Sequence, residues 1–129
     1  MAHPNEELFR KGLDAFAKGD MDTLQSLFAD DIVWHVGGNS QLSGDYKGQG
    51  EVMGWLGKNA ELSGGTIRVE PHDVLANDEH GVALITVTAQ RDGKSLRDNA
   101  VQVVHVSGGK VTESWLHAGD QQTVDAFWG

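Results

Sequence analysis

Apolar residues in the first third of the chain recur at helical spacing. Leu8, Phe9, Gly12, Leu13, Phe16 and Ala17 form one stripe. Pro4 suits the first turn of that helix, Glu6 and Glu7 suit its dipole, and Gly19 suits its stop. Asp20 then caps a second short helix carrying Leu24, Leu27 and Phe28. Asp30-Asp31 ends it and opens a strand, Ile32 to Val36, with Ile32, Trp34 and Val36 on one side and Val33 and His35 on the other. A loop rich in Gly, Asn and Ser runs from Gly37 to Gly48. A third helix, about Gln49 to Leu62, presents Val52, Trp55, Leu56 and Asn59 together. Gly54 and Gly57 weaken it by about 1 kcal/mol each relative to alanine, so its packing is expected to favour small residues.

After Ser63-Gly64-Gly65 the period changes to two. Thr66 to Leu75, Gly81 to Arg91, Ser95 to Val106 and Lys110 to Ala118 read as strands, with Asp92-Gly93 and Gly108-Gly109 as tight hairpin turns. Thr123 to Trp128 is a short amphipathic tail. Helices first and an antiparallel meander after them predict a single α+β domain over residues 1–129, with the helices on one face of a curved sheet. With Gly108-Gly109 as the turn and no bulge, Val106 faces Val111, Val104 faces Glu113, Gln102 faces Trp115 and Ala100 faces His117, all on the helix side. Thr86, Thr88, Val101 and Val103 then lie on the outer side, which is still partly apolar and is expected to meet a partner subunit.

Composition narrows the function. The 129 residues hold 39% hydrophobic and 22% charged side chains, an ordinary globular balance. A formal charge of −9 disfavours nucleic acid and anionic membranes as partners. With no cysteine, disulfides, thiolate metal sites and thiol nucleophiles are absent. The apolar run Val82 to Ala89 is too short to cross a bilayer, and the first residues lack the basic head and apolar stretch of a signal peptide, so a cytoplasmic location is expected. The six histidines show neither HxH nor HExxH spacing, so no metal site is expected. Gly48 to Gly54 imitates a dinucleotide fingerprint with the wrong spacing, and no cofactor is expected.

Three stretches carry a family likeness: Ala29-Asp30-Asp31-Ile32-Val33-Trp34-His35-Val36, then Leu42-Ser43-Gly44-Asp45-Tyr46-Lys47-Gly48, then Gly109-Lys110-Val111 with Trp115 and Asp120 at fixed offsets. Together they resemble the nuclear transport factor 2-like superfamily, closest to its SnoaL-like and ketosteroid-isomerase-like branches. The resemblance implies a cone-shaped half-barrel, a mainly antiparallel curved sheet with three N-terminal helices packed on its concave face. It also implies an apolar pocket between them and a homodimer through the outer sheet face. Where ketosteroid isomerases place a general-base aspartate this chain has Val36. Their oxyanion tyrosine falls near Gly12 and their protonated aspartate near Gln102. Proton abstraction in the isomerase manner is therefore not supported. Of the Asp-Arg-Asp arrangement of limonene epoxide hydrolases, Asp120 and Arg97 match and Asn99 breaks the set. The acid/base aspartate that SnoaL-like cyclases carry after the last strand corresponds to Asp120.

Each candidate has a chemical and a structural reading. Asp120, at the mouth of the expected pocket, is either an acid/base group raised by apolar walls or the N-cap of the last segment. His117 either pairs with Asp120 as its helper or sits exposed at the strand end. His35 points outward by alternation, and a bulge would turn it to the ligand. Trp34, Trp55 and Trp115 line a pocket for a flat polycyclic molecule or are plain core. Tyr46 donates to a ligand carbonyl or is a turn residue, and Gln102 is a ligand contact or a structural amide. Val36 belongs to the pocket wall. The reading is a pocket protein for a small hydrophobic molecule. It is a cofactor-free acid/base isomerase, cyclase or epoxide hydrolase, or a non-catalytic binding protein, or a dimeric interaction domain whose pocket is filled by tryptophans.

Overall fold

A computed structural model describes residues 3–129. In chain order they form α1 (Pro4–Lys18), α2 (Met21–Ser26), β1 (Phe28–Val36), β2 (Gly44–Lys47), α3 (Gly48–Leu62), β3 (Arg68–Ala76), β4 (His80–Arg91), β5 (Lys94–Ser107), β6 (Lys110–His117) and α4 (Gln121–Trp128). The local signals act as expected at most boundaries. Gly19 ends α1 in the left-handed region, and Asp20 Oδ1 accepts the Thr23 N–H at the start of α2. Asp92-Gly93 and Gly108-Gly109 both hold consecutive positive φ angles, the twist that a two-residue hairpin needs.

The sheet has the order β2-β1-β6-β5-β4-β3. It is antiparallel except where β1 runs parallel to β6. It is an open, curved α+β sheet with helices packed on its concave side. There α1 crosses β3 and β4, and α3 crosses β1. Ile32, Val52, Val74 and Val104 have no or almost no exposed surface and mark the centre of the core. Burial of such side chains is the main stabilising contribution, roughly 1.5–3 kcal/mol each.

Four details differ from the sequence reading. The strand that was expected to open at Ile32 begins at Phe28, so Phe28 leaves α2 and packs its ring 5.6 Å from Trp34. The loop expected from Gly37 to Gly48 contains β2, four residues paired with Val33–Val36. Gly54 and Gly57 are exposed, and a Cβ built on either meets nothing within 4 Å, so packing does not call for small residues there. Gly54→Ala and Gly57→Ala are each expected to stabilise the protein by about 1 kcal/mol through helix propensity alone. A higher midpoint of urea unfolding checks this, and a lower one contradicts it.

The fourth difference moves the most chemistry. Val106 pairs with Val111 as expected, but His105 pairs with Glu113, so Thr112 is an extra residue without a partner. Beyond this bulge the register has slipped by one, and a one-residue slip exchanges the faces of a strand. Val104 meets Ser114, Gln102 meets Leu116, and Trp115 and His117 sit opposite Val103 and Val101 on the convex face. That face also holds Thr86, bonded to His72 and Asn99, and the exposed Leu84 and Leu75.

Candidate functional site

Between the concave sheet and the helices lies a mostly apolar cavity of about 150 Å³. That is close to the volume of an engineered apolar cavity that accepts benzene. One end is walled by Phe9, Leu13 and Leu24 from the first two helices and by Phe28. The other end is formed by Leu96 and Asp98 of β5, Ile67 just before β3 and Val69 within it, and Gln121 and Trp128 of α4. Among the described residues, Asp98 is the one carboxylate on this wall, and no Lys, Arg or His lines it.

Four of the anticipated contacts do reach the cavity: Trp34, Val36, Trp55 and Gln102. Trp34 and Trp55 pack with ring centroids 5.7 Å apart. Trp55 Nε1 donates to the Leu42 carbonyl at 3.0 Å, whereas Trp34 Nε1 is fully buried without an acceptor among the described residues. Gln102 Nε2 donates to Ser114 Oγ at 3.1 Å. Tyr46 stays outside the lining. Its hydroxyl donates to the same Leu42 carbonyl at 2.8 Å, and burial raises its pKa. It is a brace for Trp55, 6.1 Å away between centroids.

Asp120 and His117 do not meet the cavity or each other. Asp120 is exposed and caps α4, its Oδ1 accepting the Thr123 N–H at 3.2 Å. That backbone donor holds its carboxyl below the ordinary value, the reverse of the shift an acid catalyst at neutral pH needs. His117 is exposed at the end of β6 on the convex side, placed there by the Thr112 bulge. The acid/base pair expected from these two residues therefore has no geometry to support it.

The bulge also gathers a polar cluster on the convex face. His35 stacks on Trp115 with centroids 5.3 Å apart, and His105 meets the same indole edge-on at 4.7 Å. His35 Nε2 lies 2.6 Å from Glu113 and Nδ1 lies 2.8 Å from Asp45. Glu113 first, then Asp45, raises the His35 pKa above the ordinary imidazole value. His35 and Trp115, both anticipated as ligand contacts, thus face away from the cavity.

Two cavity residues went unrecognised in the sequence. Asp98 is buried, with Oδ2 accepting the Gly119 N–H at 3.0 Å and Oδ1 the Asp120 N–H at 2.9 Å. It thereby ties β5 to the junction of β6 and α4. Alternation from Leu96 and Ala100 points it inward, and that was the available signal. Asn59, also buried, completes the apolar stripe of α3 and sends Nδ2 to the Trp55 carbonyl at 2.8 Å.

Comparison with known proteins places this geometry. Residues 9–114 match the model of the SnoaL-like domain. An uncharacterised protein of Mycobacterium tuberculosis strain H37Rv is 34% identical over 123 residues, 95% of this chain and 94% of that one. The structure of Bal32a, from a soil-derived mobile gene cassette, superposes with a TM-score of 0.96 at 33% identity, covering 99% of this chain and 98% of that one. An NTF2-like protein of Burkholderia xenovorans LB400 shares the fold, with a TM-score of 0.85 at 20% identity over 100% of this chain and 98% of that chain.

Proposed function

The chain belongs to the SnoaL-like domain family of the NTF2-like superfamily, and from that premise we propose that it is a pocket protein for a compact, largely apolar ring compound. The family setting is one of ligand binding and of isomerase- or cyclase-type chemistry. The observation that supports this reading is the cavity itself. It is continuous, about 150 Å³ in volume and lined almost wholly by carbon, and the tryptophans contribute walls without filling it. Apolar cavities of that size stay dry and bind small aromatics, because desolvating the ligand is favourable and the walls are already desolvated.

The test uses p-xylene, whose size fits the free volume. Titration into the 15N-labelled protein is expected to give saturable shifts at Trp34, Leu56, Ala100 and Val104. It is also expected to raise the melting temperature by linkage. The absence of any saturable shift at millimolar p-xylene would overturn the reading.

One observation favours a second reading with chemistry. Asp98 sets a carboxylate on the wall of the mostly apolar cavity, where it can take a proton from a bound ligand and return it elsewhere. In this reading the chain is a cofactor-free isomerase or cyclase, and Asp98 holds the role that Asp120 lacks the position to fill. Turnover that survives in a folded Asp98→Asn variant would refute it.

A further inference from the structure

The polar side chains on the cavity wall are Ser40, Asn59, Asp98, Gln102 and Gln121. The Nε2 groups of Gln102 and Gln121 are engaged by Ser114 Oγ and Asp125 Oδ1, and the spare capacity of Asn59 and Asp98 is that of acceptors. Asn59 gives Nδ2 to the Trp55 carbonyl. A carbonyl can only accept, so the amide is oriented unambiguously and its Oδ1 is the free atom. That oxygen accepts from no donor among the described residues, and it is not sealed inside the packing as Trp34 Nε1 is. Asp98 spends one lone pair of each oxygen on a backbone N–H. A carboxylate offers about four acceptor positions, so half its capacity remains.

These acceptors lie at the same end. Ser63, one turn beyond Asn59, accepts the Ile67 N–H at 3.2 Å and so ties the end of α3 to the start of β3. There Val69 pairs with Val87, and Val87 pairs with Asp98. Toward the opposite end, around Phe9, Leu24 and Phe28, the nearest polar lining residue is Gln102, whose Nε2 donates to Ser114 Oγ. Trp34 Nε1, a donor, has no surface open to the cavity.

We infer that the cavity selects ring compounds bearing a hydrogen-bond donor, a hydroxyl or an amine, through Asn59 and Asp98 acting as paired acceptors. The inference rests on the pocket reading above and adds its specificity. The ring occupies the end built by α1 and α2, and the donor points to Asn59 Oδ1 and the Asp98 carboxylate. A ligand with only acceptors sets oxygen against oxygen there. A carboxylate ligand meets Asp98 with no cation on the wall to offset the repulsion. Specificity of this origin is strong, because a site built to accept hydrogen bonds leaves its own groups unpaired when the donor is missing.

Three probes of nearly one shape test it: p-xylene, p-cresol and p-tolunitrile. The wild-type protein is expected to bind p-cresol about tenfold or more tighter than p-xylene, and p-tolunitrile more weakly than either, by calorimetry or NMR titration. Asn59→Leu, close in volume, is expected to cut the ratio of p-cresol to p-xylene affinity about tenfold, whatever its effect on p-xylene alone. Equal affinity for p-xylene and p-cresol in the wild type overturns the inference without any variant, and so does an Asn59→Leu protein that keeps the full p-cresol preference. Those results leave the pocket reading intact. Failure of all three probes with the folded protein removes both.

Discussion

Asp98→Ala is expected to lower stability by about 2–4 kcal/mol, because the carboxylate supplies two charge-assisted hydrogen bonds and its removal strands their donors. The donors are the Gly119 and Asp120 N–H groups, at the point where β6 hands over to α4. Cutting that tie also frees the end of the cavity closed by Gln121, Val124 and Trp128. The urea midpoint should fall, with the slope little changed if the fold stays two-state. A loss under about 1 kcal/mol would mean that water serves the two donors equally well. Asp98→Asn separates structure from chemistry. It retains one acceptor oxygen but sets an NH2 group against the other backbone N–H, so it should be intermediate in stability. Any turnover that depends on the proton of Asp98 should nonetheless disappear from it.

Gly119→Ala is expected to be as damaging, about 3 kcal/mol, for a steric reason. A Cβ at this position would sit 2.1 Å from the Asn99 carbonyl oxygen and 3.1 Å from Asp98 Oδ1. The nearest obstacle is backbone in the middle of β5, which does not swing aside as a flexible side-chain tip would. Relief therefore requires the β6–α4 junction to lift off β5, and that breaks the Asp98 bonds as well. Amide chemical shifts of residues 98–100 and 119–124 should move together in the variant. Unfolding at the wild-type midpoint would show that the junction yields freely.

Helix and strand periods, the two hairpin turns and the caps at Asp20 and Gly19 were legible because each is a local physical preference that packing reinforces. The strand β2 was not, since four residues of Gly-Asp-Tyr-Lys carry no alternation to read. The face of β6 was lost at one residue. A two-residue turn fixes cross-strand partners only as far as the first irregularity, and Thr112 intervenes five residues before His117. Everything inferred about Trp115 and His117 inherited that slip. Asp120 failed differently: an N-cap and an acid catalyst both ask for aspartate at that place, and burial, which a sequence does not display, decides between them. Asp98 and Asn59 sat at inward positions of patterns already recognised. They were passed over because each interrupts an apolar series, which is the mark of a polar group kept inside for a reason.

The parallel seam between β1 and β6 joins residues about eighty positions apart, with Val33 beside Glu113 and Val36 beside Leu116. During synthesis the edge of the first strand that meets β6 therefore stays open until residues some eighty positions later have been made, although β2 and Trp55 of α3 reach its other edge and Trp34 earlier. Loop closure on that scale slows folding, and an open strand edge in the interim invites aggregation. The two consecutive carboxylates Asp30 and Asp31, exposed or nearly so in the finished sheet, place charge within that waiting segment, where like-charge repulsion opposes its premature pairing with another nascent copy.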